Sequence, residues 1–405
     1  MPRGPLSGIK VVEWAHAHMG PGAGMYLADM GAEVIHVEER ELGNHMRRFE
    51  SLWNHNFILK DERNTFTEDL LRNKRSIKLN LNESDARSIV YRLVENADVF
   101  LTNFRPAAAR KHKLDHDDLK VLNPRLIYAR GTAYGEEGAE KDSPGLEMMG
   151  LARGGLMLGS ASPGSAPVYP TVGLIDRLGS IGLLVSILAA LYAREQSGEG
   201  QLVQTSLLGW TLSLQAVAIS YAANKGRDPR PPHRRDQNDP MYNVYQLGDG
   251  VWIALGMVIH SDKFWPRLCD AVDATELIGD ERFRSADLRD QNHHALIEIL
   301  DEQFSKLTWD EWERRSKREE MITCRVNSLT DLTADEQILA NEYMTKRSHR
   351  DLGEFWYVNT PIKFEKTPVQ IRSEAPHHGE HNEEILRELG MSDAQIGDLR
   401  ERKVI

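Results

Sequence analysis

Residues 9–37 read IKVVEWAHAHMGPGAGMYLADMGAEVIHV, and this stretch decides the fold. Its two ends, 9–13 and 33–37, are short apolar runs of the kind that form buried strands. Between them, residues 21–30 have the length and composition of a helix. A strand, a helix and a second strand in this order predict parallel strands joined by a crossover helix.

The same alternation of strand and helix patterns continues along the first half of the chain. The further elements that it predicts are a helix over 83–95, a strand over 99–101, a short helix after Pro106, and strands over 126–129 and 201–205. We therefore expect an α/β protein whose large domain is a Rossmann-like, doubly wound parallel sheet covered by helices.

The clearest break in the chain is the segment 225–240, which is rich in proline, arginine and aspartate. After it, two strand-like runs flank Gly248-Asp249-Gly250, a sequence typical of a hairpin turn. Charged helical segments follow the hairpin. We expect a large domain that begins with 1–224, a linker over 225–240 and a small α+β domain over 241–330.

Composition excludes several classes of function. Against 50 lysines and arginines stand 61 aspartates and glutamates, so the net charge of −11 argues against general nucleic-acid binding. Cys269 and Cys324 cannot form a disulfide framework, which favours a reducing, cytoplasmic setting. The first residues lack the apolar region of a signal peptide, and the apolar run 178–193 is shorter than a membrane span needs. We expect no membrane association and read that run as a core helix.

Asp176 is a lone carboxylate between an apolar stretch, 172–175, and the apolar helix that we expect to begin near Leu178. At the start of a buried helix it would face backbone N–H groups, which would keep it ionised and nucleophilic in a poorly solvated site. The alternative is structural, because aspartate is also a favoured N-cap. The residues alone leave both interpretations open.

The turn after the first strand holds Gly20, Gly22 and Gly24. A dinucleotide-binding fingerprint would need its third glycine at position 25, which is Met25. Close packing of a helix is the simpler explanation of these glycines.

Several motifs follow one another in a fixed order. They are NKRSI at 73–77, NFRP at 103–106 with Ala107 in place of a glycine, NPRLIY at 123–128, SGEGQ at 197–201 and GEHNEEIL at 379–386. Together with the opening strand–helix–strand unit, they resemble the family III CoA-transferases, also called the CaiB/BaiF family, over essentially the whole chain. No single motif is specific, but their order is.

The resemblance implies that Asp176 is the catalytic nucleophile. Its carboxylate would attack an acyl-CoA thioester, form an aspartyl anhydride and then an aspartyl-CoA thioester, and pass CoA to a carboxylic acid. The coenzyme A thioester would be a substrate, with no tightly bound cofactor and no metal site. Negative charge on the thioester oxygen would need donors, for which backbone N–H groups near Asp176 or Tyr134 are candidates.

The resemblance also assigns binding residues. The residues expected to contact CoA through charge or by shaping its slot are Arg72, Lys74, Arg75, Asn103, Phe104, Arg105 and Arg125. The residues expected to line the substrate pocket are His16, His18, Tyr134 and Glu147. Each of these cations could instead be a solvated surface charge, the histidines could be structural, and Glu147 could be an ordinary acid at a helix start.

Two other functions stay open. Racemases and isomerases of the same family pair the aspartate with a histidine, whose position is held here by Leu146. The chain could also be a non-catalytic CoA-binding subunit of a heteromer, since the bulky Arg177 follows Asp176. For assembly, the resemblance implies an interlocked homodimer, or a heteromer with a paralogue, in which residues 331–405 return to the large domain.

Overall fold

The computed structural model describes residues 4–258 and 261–405, which form two compact units. The first unit contains the chain up to Leu158, Val168–Asp228 and Leu339–Ile405, and the second contains Gly159–Pro167 and Pro229–Ile338. The expectation that all of 1–224 belongs to one domain missed the segment Gly159–Pro167. This segment joins the second unit through Arg230, whose guanidinium donates to the carbonyls of Ala161 and Ser162.

A parallel sheet forms the centre of the first unit. Its six strands among the described residues are β1 (Lys10–Trp14), β2 (Glu33–Glu39), β3 (Arg75–Leu79), β4 (Val99–Thr102), β5 (Ile127–Thr132) and β6 (Leu202–Ser206). They lie in the order β3-β2-β1-β4-β5-β6, all parallel. This is the strand order of a doubly wound Rossmann-like sheet. The predicted α/β architecture is confirmed, and β3 is a strand that the sequence patterns did not predict.

Alternate residues of the strands pack into two separate cores, as the period of a strand requires. Val12 lies in one core with Ala86 and Ile89 of the helix Ser84–Val94. Val11 lies in the other core, which contains the apolar face of Met19–Asp29. Both faces of the sheet are therefore covered by helices.

The helices outside the second unit lie between and after the strands. Their bounds, with one helix at each unit boundary, are Met19–Asp29, Thr65–Leu70, Ser84–Val94, Pro106–Lys111, His116–Leu119, Glu147–Arg153, Leu156–Gly159, Leu174–Ser197, Leu207–Leu214, Ala216–Lys225, Glu336–Ala340, Asn382–Glu388 and Asp393–Glu401. Two antiparallel hairpins accompany them, Ser51–Leu52 with His55–Asn56 and Met344–His349 with Gly353–Val358.

The helix Leu174–Ser197 is longer than the apolar run that predicted it. It has 24 residues and is long and apolar enough to cross a membrane by length and composition alone, but half of its most apolar window is buried inside the protein. It packs on Met19–Asp29 so closely that a Cβ on Gly22 would lie 2.4 Å from Ser180 Oγ. The packing explanation of these glycines therefore holds, and the helix lies in the core.

The second unit is an α+β arrangement. Its strands β7 (Val244–Gln246), β8 (Trp252–Leu255) and β9 (Thr323–Arg325) form an antiparallel sheet with β8 in the middle. The expected hairpin forms between β7 and β8. The helices of this unit are Ser261–Ala271, Ala286–Gln291, His293–Phe304 and Trp309–Arg318.

The order of the sheet positions the site. Strand β1 pairs with β2 on one side and with β4 on the other, so the direction in which strands are added to the sheet reverses at β1. In doubly wound sheets, the crevice at the carboxyl ends of the strands beside such a reversal is where ligands bind. Here this crevice is formed by the loops that follow β1 and β4.

Candidate active site

A cavity of about 340 Å³ lies in the first unit, where the segments after β1, β4 and β5 meet the start of the helix Leu174–Ser197. Most of its lining side chains are apolar. Asp176 and Glu147 line it, together with His16, His18 and Asn103. Five of the residues that the resemblance assigned to the site are therefore brought together.

Asp176 lies in the first turn of the helix Leu174–Ser197, but another carboxylate binds the amides that begin this helix. Glu147 Oε2 accepts a hydrogen bond from Gly173 N at 2.8 Å. Glu147 Oε1 accepts from Ile175 N at 2.7 Å and from Asp176 N at 3.4 Å. Glu147 thus stabilises the start of a helix far from it in sequence.

The surroundings of Asp176 disfavour its negative charge. Burial and, second, the charge of Glu147 raise the pKa of Asp176 from 3.8 to about 7, while Arg177 opposes this rise. Within the part of the chain that the structure describes, no hydrogen bond reaches the Asp176 carboxylate. The expectation that helix amides keep Asp176 ionised is therefore wrong. The N-cap alternative is also wrong, because the N-cap is Gly173, with a φ of +79°.

Glu147 is the first residue of the helix Glu147–Arg153, as expected for an acid at a helix start. It also lines the cavity, as expected for a pocket residue. Its side chain is buried, with 6% of its surface exposed, and the Tyr169 hydroxyl donates to Oε2. The carboxylate therefore has a full set of donors from two segments. Its negative charge is well stabilised where that of Asp176 is not.

His16 and His18 flank Ala17 in the loop after β1, and both line the cavity. Ala17 has a φ of +55°, a left-handed conformation that costs a non-glycine residue on the order of 1 kcal/mol. His18 is buried, and its Nε2 has no hydrogen-bond partner among the described residues. Burial, as the largest cause, lowers the pKa of both histidines to about 4, so both rings are neutral at neutral pH.

Asn103 and Phe104, which follow β4, hold the loop that carries His16. The Asn103 side chain accepts from His16 N at 2.9 Å and donates to His16 O at 2.8 Å. Phe104 stacks between Trp14 and His16, with ring centroids 4.3 and 4.4 Å away. Arg105 is exposed beside them and donates to a backbone carbonyl at 3.3 Å. Contact of these three residues with CoA stays a prediction, and their position beside the cavity suits it.

Tyr134 follows β5 but does not belong to the cavity lining. Its hydroxyl donates to Pro144 O at 3.4 Å, and its ring lies 5.4 Å from the guanidinium of Arg153. The helix amides next to Asp176 are bound by Glu147. The helix amides beside Asp176 and the Tyr134 hydroxyl therefore have other partners in this structure.

Arg72 and Lys74 are partners in buried ion pairs. Arg72 lies 2.8 Å from Asp29 and 2.9 Å from Asp69. Lys74 Nζ lies 2.8 Å from the carboxylate of Glu13. With 1% and 3% of their surfaces exposed, neither cation is open to a phosphate. The structure does not support their predicted contact with CoA.

Arg75 and Arg125 lie where β3 and β5 begin, at the end of the sheet opposite the cavity. Arg75 lies 2.8 Å from Glu384 and 2.7 Å from Glu388. Arg125 donates to Gly198 O at 2.9 Å. Since the strands are parallel, the amino ends of β3 and β5 face away from the crevice, and the structure separates these two arginines from the other assigned residues.

Arg177 lines no part of the cavity. Its guanidinium pairs with Asp69 and lies 5.7 Å from the ring centroid of Tyr26. In this conformation it neither reaches the cavity as a substrate ligand nor obstructs it.

Sequence patterns missed part of the site. Tyr169 holds Glu147, while Phe49 and Phe66 form an aromatic wall of the cavity, with ring centroids 5.4 Å apart. Tyr169 lies in an irregular segment without a strand or helix period, so no local signal identifies it.

Comparison with known proteins gives one family. A model described as CoA-transferase family III matches residues 6–382. The (R)-2-hydroxy-4-methylpentanoate CoA-transferase of Clostridioides difficile is 29% identical over 99% of each chain. The succinyl-CoA–L-malate CoA-transferase beta subunit of Chloroflexus aurantiacus is 33% identical over 99% of this chain and 98% of its own. A solved CaiB/BaiF family protein from Brucella suis matches with a TM-score of 0.86 at 28% identity, over 96% of this chain and 100% of its own.

Proposed function

Because this chain belongs to CoA-transferase family III, we propose that it moves CoA from an acyl-CoA to a carboxylic acid through covalent intermediates on Asp176. One observation carries the proposal: Asp176 lies in the wall of an apolar cavity, and no described residue donates a hydrogen bond to its carboxylate. Burial raises its pKa to about 7, so a substantial fraction is ionised at neutral pH. A poorly solvated carboxylate of raised basicity is a stronger nucleophile than one in water.

The first half of the reaction discharges the donor. The Asp176 carboxylate attacks the thioester carbonyl carbon, the C–S bond breaks, and the CoA thiolate leaves an aspartyl acyl anhydride. The thiolate then attacks the aspartyl carbonyl of this anhydride. An aspartyl-CoA thioester forms, and the donor acid departs as its carboxylate.

The second half repeats these steps in reverse order. The acceptor carboxylate attacks the aspartyl-CoA carbonyl and expels the thiolate, which attacks the acceptor carbonyl of the new anhydride. The acyl-CoA product forms and the Asp176 carboxylate is restored. No net proton is taken up or released, so the route needs no group that acts as a general acid or base.

The protein around Asp176 has two tasks in this scheme. Apolar side chains such as Leu146 and Phe66 limit the water that would hydrolyse the anhydride or the thioester. Glu147 fixes the helix start that carries Asp176 and keeps the carboxylate basic through its charge. Neither task requires Glu147 to touch the substrate.

Trapping the intermediates tests the proposal. The protein is incubated with an acyl-CoA, treated with hydroxylamine or borohydride, and digested for mass spectrometry. We expect one modified peptide, the one that contains Asp176. Solvent deuterium at the α-carbon of the acyl group, without labelling of this peptide, would instead indicate a racemase or isomerase.

That alternative receives no support from the cavity. The position of the racemase histidine, Leu146, lines the cavity but cannot move a proton. His16 and His18 are the remaining candidate bases, and the pKa of each is about 4, which makes them weak bases. Transfer therefore explains the site better than proton exchange.

Assembly stays a prediction. We propose an interlocked homodimer, with a heteromer as the alternative, since one relative is named as a beta subunit. Size-exclusion chromatography with light scattering, combined with an assay of the purified chain, separates the two. A stable, active monomer would contradict both.

A further inference from the structure

The wall around Asp176 indicates which acids can react there. Its apolar lining includes Met19, Phe49, Phe66, Leu146, Met149 and Leu207. Among the described residues, no lysine or arginine belongs to the lining. The cavity therefore has a large apolar surface and no cation.

The arginines and histidines near this wall do not add a positive charge to the cavity. Arg177 pairs with Asp69, and Arg105 is exposed and hydrogen-bonded to the Asp142 carbonyl. His16 and His18 are neutral rings, since burial lowers the pKa of each to about 4. The fixed charges that face the cavity are thus carboxylates.

We propose that both acids exchanged by this enzyme are apolar monocarboxylic acids and that dicarboxylic acids are rejected. This inference rests on the transferase function proposed above. Because donor and acceptor react in turn at the one Asp176 carboxylate, both acyl groups must occupy the same cavity. Their side chains would pack against residues such as Phe49, Phe66 and Met149.

A dicarboxylic acid meets an electrostatic obstacle. Its second carboxylate would lose water on entering the cavity, and a buried charge without a partner is strongly disfavoured. Asp176 and Glu147 would add repulsion of like charge. An apolar side chain of the same shape loses nothing comparable and gains from burial.

Succinate and 4-methylpentanoate form a matched pair for the test, since an isopropyl group replaces a carboxylate of nearly the same shape. We expect kcat/KM of the wild-type enzyme for 4-methylpentanoate to exceed that for succinate on the order of a hundredfold, with any apolar acyl-CoA as donor. Equal or faster transfer to succinate would overturn the inference and leave the transferase function intact.

Binding supplies a readout that does not depend on turnover. Asp176→Ala cannot form the anhydride, so calorimetry with this variant measures the affinity for each thioester. We expect 4-methylpentanoyl-CoA to bind at least about tenfold more tightly than succinyl-CoA, because the acyl groups alone differ. Equal affinities would contradict the inference. Unchanged transfer by Asp176→Ala would instead refute the proposed function, and the affinities would still decide the substrate class.

A variant that adds a cation to the cavity wall tests whether electrostatics causes the preference for the apolar acid. Met149 lines the cavity and is 43% exposed, so Met149→Arg places a guanidinium at its wall. We expect this variant to reduce the preference for 4-methylpentanoate at least about tenfold. The control, Val121→Arg, adds the same charge at a residue 72% exposed and outside the cavity, and should leave the preference unchanged. An unchanged preference in both variants would refute the electrostatic explanation.

Discussion

Replacing Glu147 with glutamine separates the charge of this residue from its shape. The pKa of Asp176 rises from 3.8 to about 7 through burial, the larger cause, and the charge of Glu147. Removing the charge of Glu147 removes the second cause of this rise and should lower the pKa of Asp176, while the larger cause, burial, remains. Because the ionised carboxylate is the nucleophile of the proposed mechanism, we expect activity to rise with pH as Asp176 loses its proton. In Glu147→Gln, activity should therefore rise at a lower pH than in the wild type.

The measurement is kcat/KM against pH, which reports the ionisation of groups in the free enzyme. Glutamine still offers an oxygen to the helix amides, but its neutral hydrogen bonds are weaker, so we expect a loss of stability of about 1–2 kcal/mol. The control is Tyr169→Phe, which removes a hydrogen bond to Glu147 and leaves both charges in place. A profile of Glu147→Gln that coincides with the wild type, or moves to higher pH, would refute this account of Asp176.

Three further predictions concern the nucleophile, the buried ion pair and the CoA contacts. Asp176→Ala should lose transfer while its melting temperature stays close to that of the wild type, since no described residue donates a hydrogen bond to the lost carboxylate. Retained turnover would refute the proposed role of Asp176 as nucleophile. Lys74→Met should cost about 3–5 kcal/mol in denaturant unfolding, because the buried Glu13 loses the ammonium group that pairs with it, and adding Glu13→Gln should recover part of this loss. Arg105→Gln should raise KM for acyl-CoA about tenfold in steady-state assays, because a charge-assisted contact is lost. Arg125→Gln should change this KM less than about twofold. Equal effects of the two substitutions would contradict the prediction that CoA binds at the end of the sheet where Arg105 lies.

The sequence predicts the alternation of strands and helices because most of these elements have the residue pattern typical of their secondary structure. Strands β1, β2, β4 and β5 are nearly all buried and rich in apolar residues, although β1, β2 and β5 also contain buried charged or polar residues such as Glu13, His36 and Arg130. Strand β3, Arg75–Leu79, was missed because two of its five residues are cations. At the edge of the sheet these cations are only half-buried, and the strand loses the apolar signature.

The site was predicted less completely than the fold. The resemblance placed Asp176, Glu147, His16, His18 and Asn103 at one site, and the structure brings them to one cavity. Their electrostatics depends on contacts between segments far apart in sequence, which no local pattern contains. The buried ion pair of Lys74 was missed for the same reason, since its partner Glu13 lies 61 positions earlier in the chain. A motif identifies a lysine but not the carboxylate that neutralises it.

The division of labour between the two carboxylates also bears on how such proteins diverge after gene duplication. The amides that begin the helix Leu174–Ser197 are hydrogen-bonded by Glu147, so the helix does not depend on the side chain at position 176. If Asp176 is the nucleophile, as proposed, a single change there would silence one copy without unfolding it. The silent copy would keep its cavity and remain able to assemble with an active one. With this architecture, one substitution in a duplicated gene would be enough to convert a homomer into a heteromer of an active and an inactive chain.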